Sequence, residues 1–296
     1  MGESIPSDPP RGNARRLLVN ADDFGLSGGV NRGVLEAHRR GLVTSTSLMA
    51  NLPAAAEAVG LWREAPDLGL GMHLNLTAGR PLSRPEEVPS LVRRDGRFWV
   101  LGDLLRRLTT GRIRAAELER ELSAQVERAL ELGGRIGHFD SHHHVHVHPR
   151  LTPIVLRLAR RYAVPAVRAP AEGLGSLAYQ RPAPRDAARL LAISALGLLF
   201  GARAHRAGLR VARHFRGIAL GTGFRTPALL RELKRLPNGF TELMVHPGYM
   251  DAELARHTSF TVGRDSELVA LASPEARAAL EAVGARLVRW DEADGS

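Results

Sequence analysis

Short apolar stretches alternate with longer amphipathic stretches along most of this 296-residue chain. The short stretches are rich in β-branched residues and are bounded by turn residues, which predicts strands, and the longer ones have helical periodicity. Strands are predicted at 16–22, 42–51, 68–76, 136–146, 165–170, 240–248 and 285–290, with helices between them that include 29–40, 54–64 and 226–236. Such an alternation is typical of βα units built around a parallel sheet.

The pattern weakens in two internal regions and at the amino terminus. Residues 80–112 and 172–224 contain more Pro, Gly and Arg and are less periodic, so we expect loop insertions there. Residues 1–15 are polar and proline-rich and lack the apolar core of a signal peptide, which predicts a flexible extension. We expect residues 16–296 to form one domain, located in the cytoplasm.

Composition limits the chemistry that the chain can perform. Cysteine is absent, which excludes disulfides, thiolate zinc sites and a cysteine nucleophile, so any metal would be bound by His, Asp or Glu. The net charge of +10 is compatible with an anionic partner. The arginines are dispersed along amphipathic helices, however, and aromatic residues make up only 5%, so we expect no nucleic-acid binding.

One uncharged apolar stretch, residues 190–202, raises the question of membrane contact. Spanning a bilayer takes ~20 residues, which is longer than this stretch. The pattern therefore favours a buried helix and no stable membrane insertion. A contact with a membrane surface or with a second copy in a homodimer is the alternative.

Acidic and histidine side chains concentrate at the carboxyl ends of the predicted strands. Asp22 and Asp23 end the first strand, and His246 ends a later one. Alternation along residues 68–76 places His73 on the glycine-rich face, opposite the leucines. Parallel α/β barrels and sheets assemble their active sites at these strand ends, which predicts one there.

Six of the 12 histidines fall within residues 138–149. On an extended strand, one face would carry Asp140, His142, His144, His146 and His148. Burial of so many imidazoles without a ligand is costly, which favours metal binding. One Asp and two His ligands that leave a position open for water are typical of a catalytic divalent metal, and Asp140 is a candidate to hold the second ring nitrogen of a ligating histidine.

The chain resembles the YdjC-type carbohydrate deacetylases, the family of the chitooligosaccharide deacetylases. The resemblance rests on the order and spacing of VNADDFGLS, GLVTSTSLMAN, GMHLNLTAGRPL and HFDSHHHVHVHP, and it extends over roughly residues 16–290. It implies a distorted (β/α) barrel with a parallel sheet, similar to NodB-like deacetylases and TIM barrels. It also implies metal-dependent removal of the acetyl group from an N-acetylated sugar.

Site residues follow from the resemblance position by position. Asp23, His73 and His142 would bind one divalent metal ion, either zinc or magnesium. Asp22 would be the general base and His246 the general acid. His142 and His146 also have the i, i+4 spacing of a metal-binding pair on a helix or turn, although on a flat strand they would lie roughly 13 Å apart. Further candidates to orient the ligands or bind substrate are Asp140, His144, His146, Arg168 and Asn51.

The substrate and the reaction class leave alternatives open. Residues 80–112 and 190–202 would suit either a glycan groove or a lipid-facing pocket, so an N-acetylglucosaminyl lipid of the hopanoid type is a second candidate substrate. A phosphoesterase would use the same ligands, suit the basic charge and release phosphate. Metal storage combined with nucleic-acid binding is a third interpretation, but it needs no distant Asp and His partners, so the convergence of strand ends argues against it.

Overall fold

A parallel sheet organises the part of the chain that the computed structural model describes, residues 14–180, 183–221, 224–258 and 260–293. Within these residues the sheet has seven strands, of which six follow one another in the order β4-β3-β2-β1-β6-β5, while β7 pairs with β1. The strands are β1 (Arg15–Phe24), β2 (Ser45–Leu48), β3 (Gly69–Leu74), β4 (Phe139–Ser141), β5 (His214–Arg216), β6 (Gly239–Val245) and β7 (Ala285–Leu287). Every pairing is parallel.

Helices connect the strands, as the alternating pattern predicts. They are α1 (Gly28–Arg40), α2 (Ala55–Arg63), α3 (Leu101–Thr109), α4 (Ala115–Glu131), α5 (Thr152–Arg161), α6 (Gly175–Gln180), α7 (Pro184–Arg206), α8 (Thr226–Lys234), α9 (Leu254–His257), α10 (Arg264–Leu271) and α11 (Pro274–Ala282). Helix α1 begins where the Ser27 hydroxyl accepts a hydrogen bond from the backbone N–H of Val30. Val30 and Val34 on its inner side are fully buried, which fixes α1 against the core.

β1 lies at the centre of the sheet. Its apolar run from Leu17 to Val19 is fully buried. One edge pairs with β6 along residues 15–21, and the other edge pairs with β7 at its start and with β2 at its end. A strand that is covered on both faces and both edges has a continuous apolar sequence. The apolar run is therefore the pattern from which the sequence predicts this strand.

The sheet curls into a partial barrel. Beyond β4, single parallel bridges continue the curvature, and they join Phe139 to Val167, Ala166 to Arg210 and Glu172 to Phe215 in β5. The strand predicted at 165–170 is reduced to these bridges, and β5 is a strand that the sequence did not predict. The expected distorted (β/α) barrel is confirmed.

The expected loop insertions contain regular structure. Residues 80–112 form turns, an antiparallel bridge and α3. Residues 172–224 are largely helical, because α7 alone extends for 23 residues. The prediction of a loop there is wrong, since helical apolar positions continue on both sides of residues 190–202. Of the predicted extension, residues 1–13 lie outside the described part of the chain, and Arg15 already belongs to β1.

Helix α7 is not the buried helix that the sequence predicts. Its segment Asp186–Arg206 is long and apolar enough to cross a membrane by length and composition, and 28% of its most apolar window is buried. Leu191, Leu198 and Leu199 are 45%, 66% and 57% exposed. The inner side nevertheless packs tightly, since the ring of Phe200 lies 4.9 Å from that of His146. One side of α7 therefore supports the barrel and the other is open.

Candidate active site

Asp22 and Asp23 reach the same cavity because β1 is irregular where they occur. In a regular strand, neighbouring side chains point to opposite faces. Between Ala21 and Phe24, β1 advances by three residues while β2 advances by two, and Asp23 has a positive φ of 68°. This bulge breaks the alternation, so both adjacent carboxylates line the cavity.

Asp23, His73 and His142 place three ligand atoms close together. Asp23 Oδ1 lies 3.4 Å from His73 Nε2 and 3.0 Å from His142 Nδ1. All three side chains are buried, and Asp23 Oδ1 has no hydrogen bond of good geometry within the described residues. One carboxylate oxygen and two imidazole nitrogens form a typical donor set for a catalytic divalent ion, so these residues fit a metal.

A second group of potential ligands, Asp22, His73 and Asp140, lies beside the first. Its oxygens are already occupied. Arg168 donates to both oxygens of Asp22, at 2.6 and 2.7 Å, and forms an ion pair with Asp140 Oδ2 at 2.9 Å. Only the group that contains Asp23 keeps an oxygen free for a metal, so it is the better candidate site.

Asp140 orients His73. The two residues are direct partners in the pairing of β3 with β4, and Asp140 Oδ1 lies 2.8 Å from His73 Nδ1. The sequence places Asp140 beside His142, which is wrong, because β4 ends at Ser141 and the chain then turns. Burial disfavours a charge on His73, but the carboxylates of Asp140 and Asp22 outweigh it and raise its pKa to about 10. The negative potential that retains this proton also favours a cation.

Arg168 holds three carboxylates and is itself fully buried. Besides Asp22 and Asp140 it contacts Glu242, whose Oε1 accepts from Arg168 Nε at 2.7 Å. Burial raises the pKa of Glu242 to about 7, although the guanidinium of Arg168 opposes the shift. The sequence signal for Glu242 is a single charge within the apolar strand FTELMV, and the sequence-based site does not include it.

The start of α10 supplies two further charged residues. Arg264 donates to Asp23 Oδ2 at 2.6 Å, which occupies that oxygen and leaves Oδ1 for a metal. Burial disfavours ionisation of Asp23, but Arg264 and His142 outweigh it and hold its pKa well below the usual value. Glu267 accepts from the backbone N–H of His246 at 2.5 Å, and burial raises its pKa to about 8. No local sequence pattern distinguishes Arg264 and Glu267 from exposed helix residues.

His246 lines the cavity directly after β6. Its ring centre lies 5.2 Å from that of Phe260. Burial lowers its pKa to about 4, against the attraction of Asp23 and Asp22. The ring is therefore neutral at pH 7 in the free protein.

The histidine cluster is not an extended strand. After Ser141 the chain forms a short 3₁₀ segment, His142–Val147, in which His143 and His144 have positive φ values of 60° and 57°. These left-handed residues redirect the backbone, so the predicted shared face does not exist. His142 comes beside Asp23, and His144 lines the cavity. His146 contacts Ser141 Oγ at 2.6 Å and the carbonyl of Arg168 at 2.9 Å instead.

Asn51 lies outside the group of residues around the cavity. Its amide nitrogen donates to the carbonyls of Ala78 and Arg80, and its side-chain oxygen accepts from Asn75. None of these contacts reaches Asp22, and the sequence-based prediction that Asn51 binds substrate stays a prediction. Its hydrogen bonds stabilise the loop that follows β3.

His144 and His146 differ in their hydrogen bonds, which predicts that they differ in their contribution to stability. Replacement of His146 with Leu should lower the free energy of unfolding by about 1–3 kcal/mol, because Ser141 Oγ and the Arg168 carbonyl lose a buried partner. The same replacement at His144 removes no hydrogen bond to a described residue and should change it by less than about 1 kcal/mol. Urea unfolding of both variants measures the difference. Equal losses would mean that His144 also stabilises the fold.

The cavity around these residues has a volume of about 450 Å³, which is within the usual range for small-molecule sites. Its polar lining includes Asp22, Asp23 and five histidines. Apolar side chains form much of the rest, including Ile218, Phe224, Met244 and Phe260. Such a wall suits a ligand with a reactive polar group and a less polar ring.

Residues 16–282 match the family of YdjC-like proteins. The chain belongs to the YdjC-like family. The resemblance carried by the four sequence segments is confirmed, and the match includes every residue of the candidate site.

Named relatives in the YdjC-like family extend over nearly the same length. A carbohydrate deacetylase of Geobacillus stearothermophilus is 39% identical over 279 residues, which are 94% of this chain and 98% of the relative. A carbohydrate deacetylase of Brevibacillus brevis is 38% identical over 285 residues, 94% of this chain and 99% of the relative. A crystal structure from Enterococcus faecalis V583, of a protein assigned to cellobiose-phosphate cleavage, has a TM-score of 0.78 at 28% identity and covers 94% of this chain and 98% of its own.

Proposed function

We propose that this protein is a metal-dependent hydrolase that removes the N-acetyl group from an N-acetylated sugar, a chitooligosaccharide or a related N-acetylglucosaminyl compound, and releases acetate. The observation that carries the proposal is the free Asp23 Oδ1, which lies between two histidine nitrogens and beside Asp22 in one cavity. The relatives named carbohydrate deacetylase support the choice of reaction.

Asp23, His73 and His142 would hold the metal ion. When bound there, such an ion would supply Lewis-acid polarisation of the acetamide carbonyl and would lower the pKa of a water molecule toward neutrality. Asp140 contributes by fixing the ring of His73, so that Nε2 and not Nδ1 faces Asp23. Arg264 contributes by occupying the other oxygen of Asp23. The chain therefore presents one oxygen and two nitrogens in a defined orientation.

Asp22 is the residue that we assign as general base. Its carboxylate lines the cavity next to the metal ligands, with its Oδ2 4.0 Å from His73 Nε2. The paired hydrogen bonds from Arg168, together with one from Asn20 at 2.8 Å, fix its position. It accepts the proton that the attacking water loses.

We assign His246 the role of assisting the amine as it leaves. Because its pKa is about 4, the ring does not begin with an extra proton at pH 7. It donates a ring N–H hydrogen bond to the leaving nitrogen, and the proton that the amine gains is the one that Asp22 took from the attacking water. This modifies the sequence-based role, in which His246 starts in the protonated form.

Acetate release from N-acetylglucosamine oligomers tests the proposed function. We expect the protein treated with a chelator to lose release, and added Zn²⁺ or Mg²⁺ to restore it. Replacement of His73 with Ala removes one proposed metal ligand. Neither ion should then restore acetate release to the variant. Full activity in chelator would contradict metal dependence, and absence of acetate release from every oligomer with metal bound would contradict the proposed substrate class.

A further inference from the structure

The outer side of α7 carries a continuous apolar surface that no step of the proposed deacetylation uses. Between residues 188 and 202, every exposed side chain except that of Arg189 is apolar. These exposed apolar residues, which we call the α7 stripe, are Ala188, Leu191, Ala192, Ala195, Leu198, Leu199 and Ala202. With about 3.6 residues per turn and a rise of about 1.5 Å per residue, they fall within an arc of about 120° and extend for about 21 Å. The α7 stripe is therefore one face of the helix.

The inner side of α7 fixes the direction in which the α7 stripe faces. Phe200 is fully buried, and Ser194 Oγ accepts a hydrogen bond from the backbone N–H of Glu172 at 3.1 Å. Gly197 lies so close to the chain that an added Cβ would come within 2.8 Å of the carbonyl of Pro170. These contacts hold α7 against the barrel, so the helix could cross a bilayer only by leaving the fold. A partner of the α7 stripe must therefore approach from outside.

Arginines flank the α7 stripe at both ends. Arg189 lies near its start, Arg203 and Arg206 follow its end, and all three are exposed. None of them forms an ion pair with a described residue. The single acidic residue of α7 is Asp186. Guanidinium groups without a protein carboxylate are free to bind phosphate, and an apolar helix face between such groups is typical of a helix that lies on an anionic membrane.

A second copy of this chain fits the α7 stripe less well. The α7 stripe is one helix wide, so it would bury about 200 Å² on each copy, whereas a stable interface buries about 800 Å² per partner. In an antiparallel pairing, the arginines at one end would approach Arg189 and Asp186 of the other copy, which brings three cations to one carboxylate. In a parallel pairing, each arginine would approach its own counterpart. An anionic lipid surface has the opposite charge and needs no complementary protein surface.

We propose that the α7 stripe docks this protein reversibly on an anionic membrane surface. Leu198 and Leu199, the most exposed leucines of the α7 stripe, enter the boundary between headgroups and acyl chains. Arg203 and Arg206 bind the phosphates of anionic headgroups, and the net charge of +10 attracts the whole chain to the same surface. Arg189 also lines the active-site cavity, so docking brings one wall of that cavity to the membrane surface. The proposal does not depend on the deacetylase activity.

Sedimentation of the full chain with lipid vesicles tests the proposal. The probes are vesicles of phosphatidylcholine alone and vesicles of an equal mixture of phosphatidylcholine and phosphatidylglycerol. We expect at least tenfold tighter binding to the anionic vesicles. An increase in salt from about 0.1 M to about 1 M should weaken this binding, because the Debye length falls from about 10 Å to about 3 Å. Absence of binding to the anionic vesicles, or equal binding to both kinds, would overturn the proposal.

Matched variants locate the contact on α7. Leu198→Gln combined with Leu199→Gln, and Arg203→Glu alone, should each weaken binding to the anionic vesicles at least fivefold. Val269→Gln changes a similarly exposed apolar side chain on α10, and Arg160→Glu reverses an exposed charge on α5, so each should weaken binding less than twofold. All of these side chains are exposed, and an unchanged urea midpoint shows that each variant keeps the fold. Equal weakening by the α7 variants and by the two controls would contradict docking through the α7 stripe.

A fluorescent reporter identifies the side chain that meets the lipid. The chain contains no cysteine, so Leu198→Cys gives a single site for an environment-sensitive dye, and Val269→Cys gives the matched site on α10. We expect the emission of the dye at position 198 to increase and to move to shorter wavelength when anionic vesicles are added. The dye at position 269 should show no change. The same response at both positions, or none at position 198, would overturn the proposal.

Analytical ultracentrifugation of the full chain without lipid tests the other occupant. We expect no self-association that depends on the α7 stripe. A dimer that dissociates when Leu198→Gln is combined with Leu199→Gln would assign the α7 stripe to a second copy of the chain, and the proposal would then be wrong.

Discussion

Replacement of Asp22 with Asn should reduce acetate release by about 10²–10⁴-fold, the usual contribution of a general base, while the protein keeps its metal. Asp22 is adjacent to the proposed ligands, but Asp23, His73 and His142 already supply three ligand atoms, so the ion does not need Asp22. Asp22 Oδ2 accepts one hydrogen bond, from Arg168, and its second lone pair can accept a proton. The amide of Asn keeps the volume of the side chain and removes the basic oxygen. Turnover together with metal content, measured on the same preparation, provides the check.

Asp23→Ala is the matched variant at the neighbouring position. It removes the free Oδ1 and leaves Arg264 without its partner, so we expect the metal to be lost together with activity. The two adjacent aspartates are therefore expected to differ in metal content, because Asp22→Asn keeps the metal and Asp23→Ala loses it. Equal loss of metal in both variants would contradict the separation of base and ligand.

Replacement of Arg168 with Met should lower the free energy of unfolding by about 3–5 kcal/mol, because removal of one partner leaves buried charges without compensation. Arg168 is fully buried and is bonded to Asp22, Asp140 and Glu242. Methionine has a similar length but no charge. Urea unfolding at pH 7 measures the loss.

Two comparisons separate this loss from a general effect of an arginine substitution. Arg160→Met on the surface of α5 should change the free energy of unfolding by less than about 0.5 kcal/mol. Adding Glu242→Gln to Arg168→Met should recover part of the stability. One of the three side chains that have lost Arg168 as a partner then carries no charge. A loss of under about 1 kcal/mol for Arg168→Met would mean that the carboxylates find other partners or protons at little cost.

The sequence predicts the parts of the site that depend on strand periodicity. The apolar run before Asp22 identifies β1, and the alternation in β3 places His73 on the correct face. Parallel strands bring their carboxyl ends together, so the proximity of Asp23 and His73 follows from two strand assignments and the fold class. None of these inferences needs the conformation of a loop.

The parts that the sequence did not predict depend on local backbone geometry or on distant partners. Positive φ values at Asp23, His143 and His144 are uncommon for residues other than glycine. Asp and His adopt them more often than most residues, but the residue type does not identify which Asp or His will do so. These φ values nevertheless decide which aspartate oxygen and which histidine face the proposed metal position. The ion pair between Arg264 and Asp23 joins residues 241 positions apart, so no pattern within one segment contains it.

The central position of β1 has a consequence for synthesis of the chain. The strand that covers one edge of residues 15–21, residues 239–245, is translated more than 200 residues after them. At roughly 5–20 residues per second this interval is about 10–45 s, during which a strand with an apolar centre has an unpaired edge. Arg15 and Arg16 precede its apolar core, and Asp22 and Asp23 follow it. Charges that flank an apolar segment oppose association between nascent chains. Asp22 and Asp23 therefore also oppose aggregation during synthesis, before the candidate site is assembled.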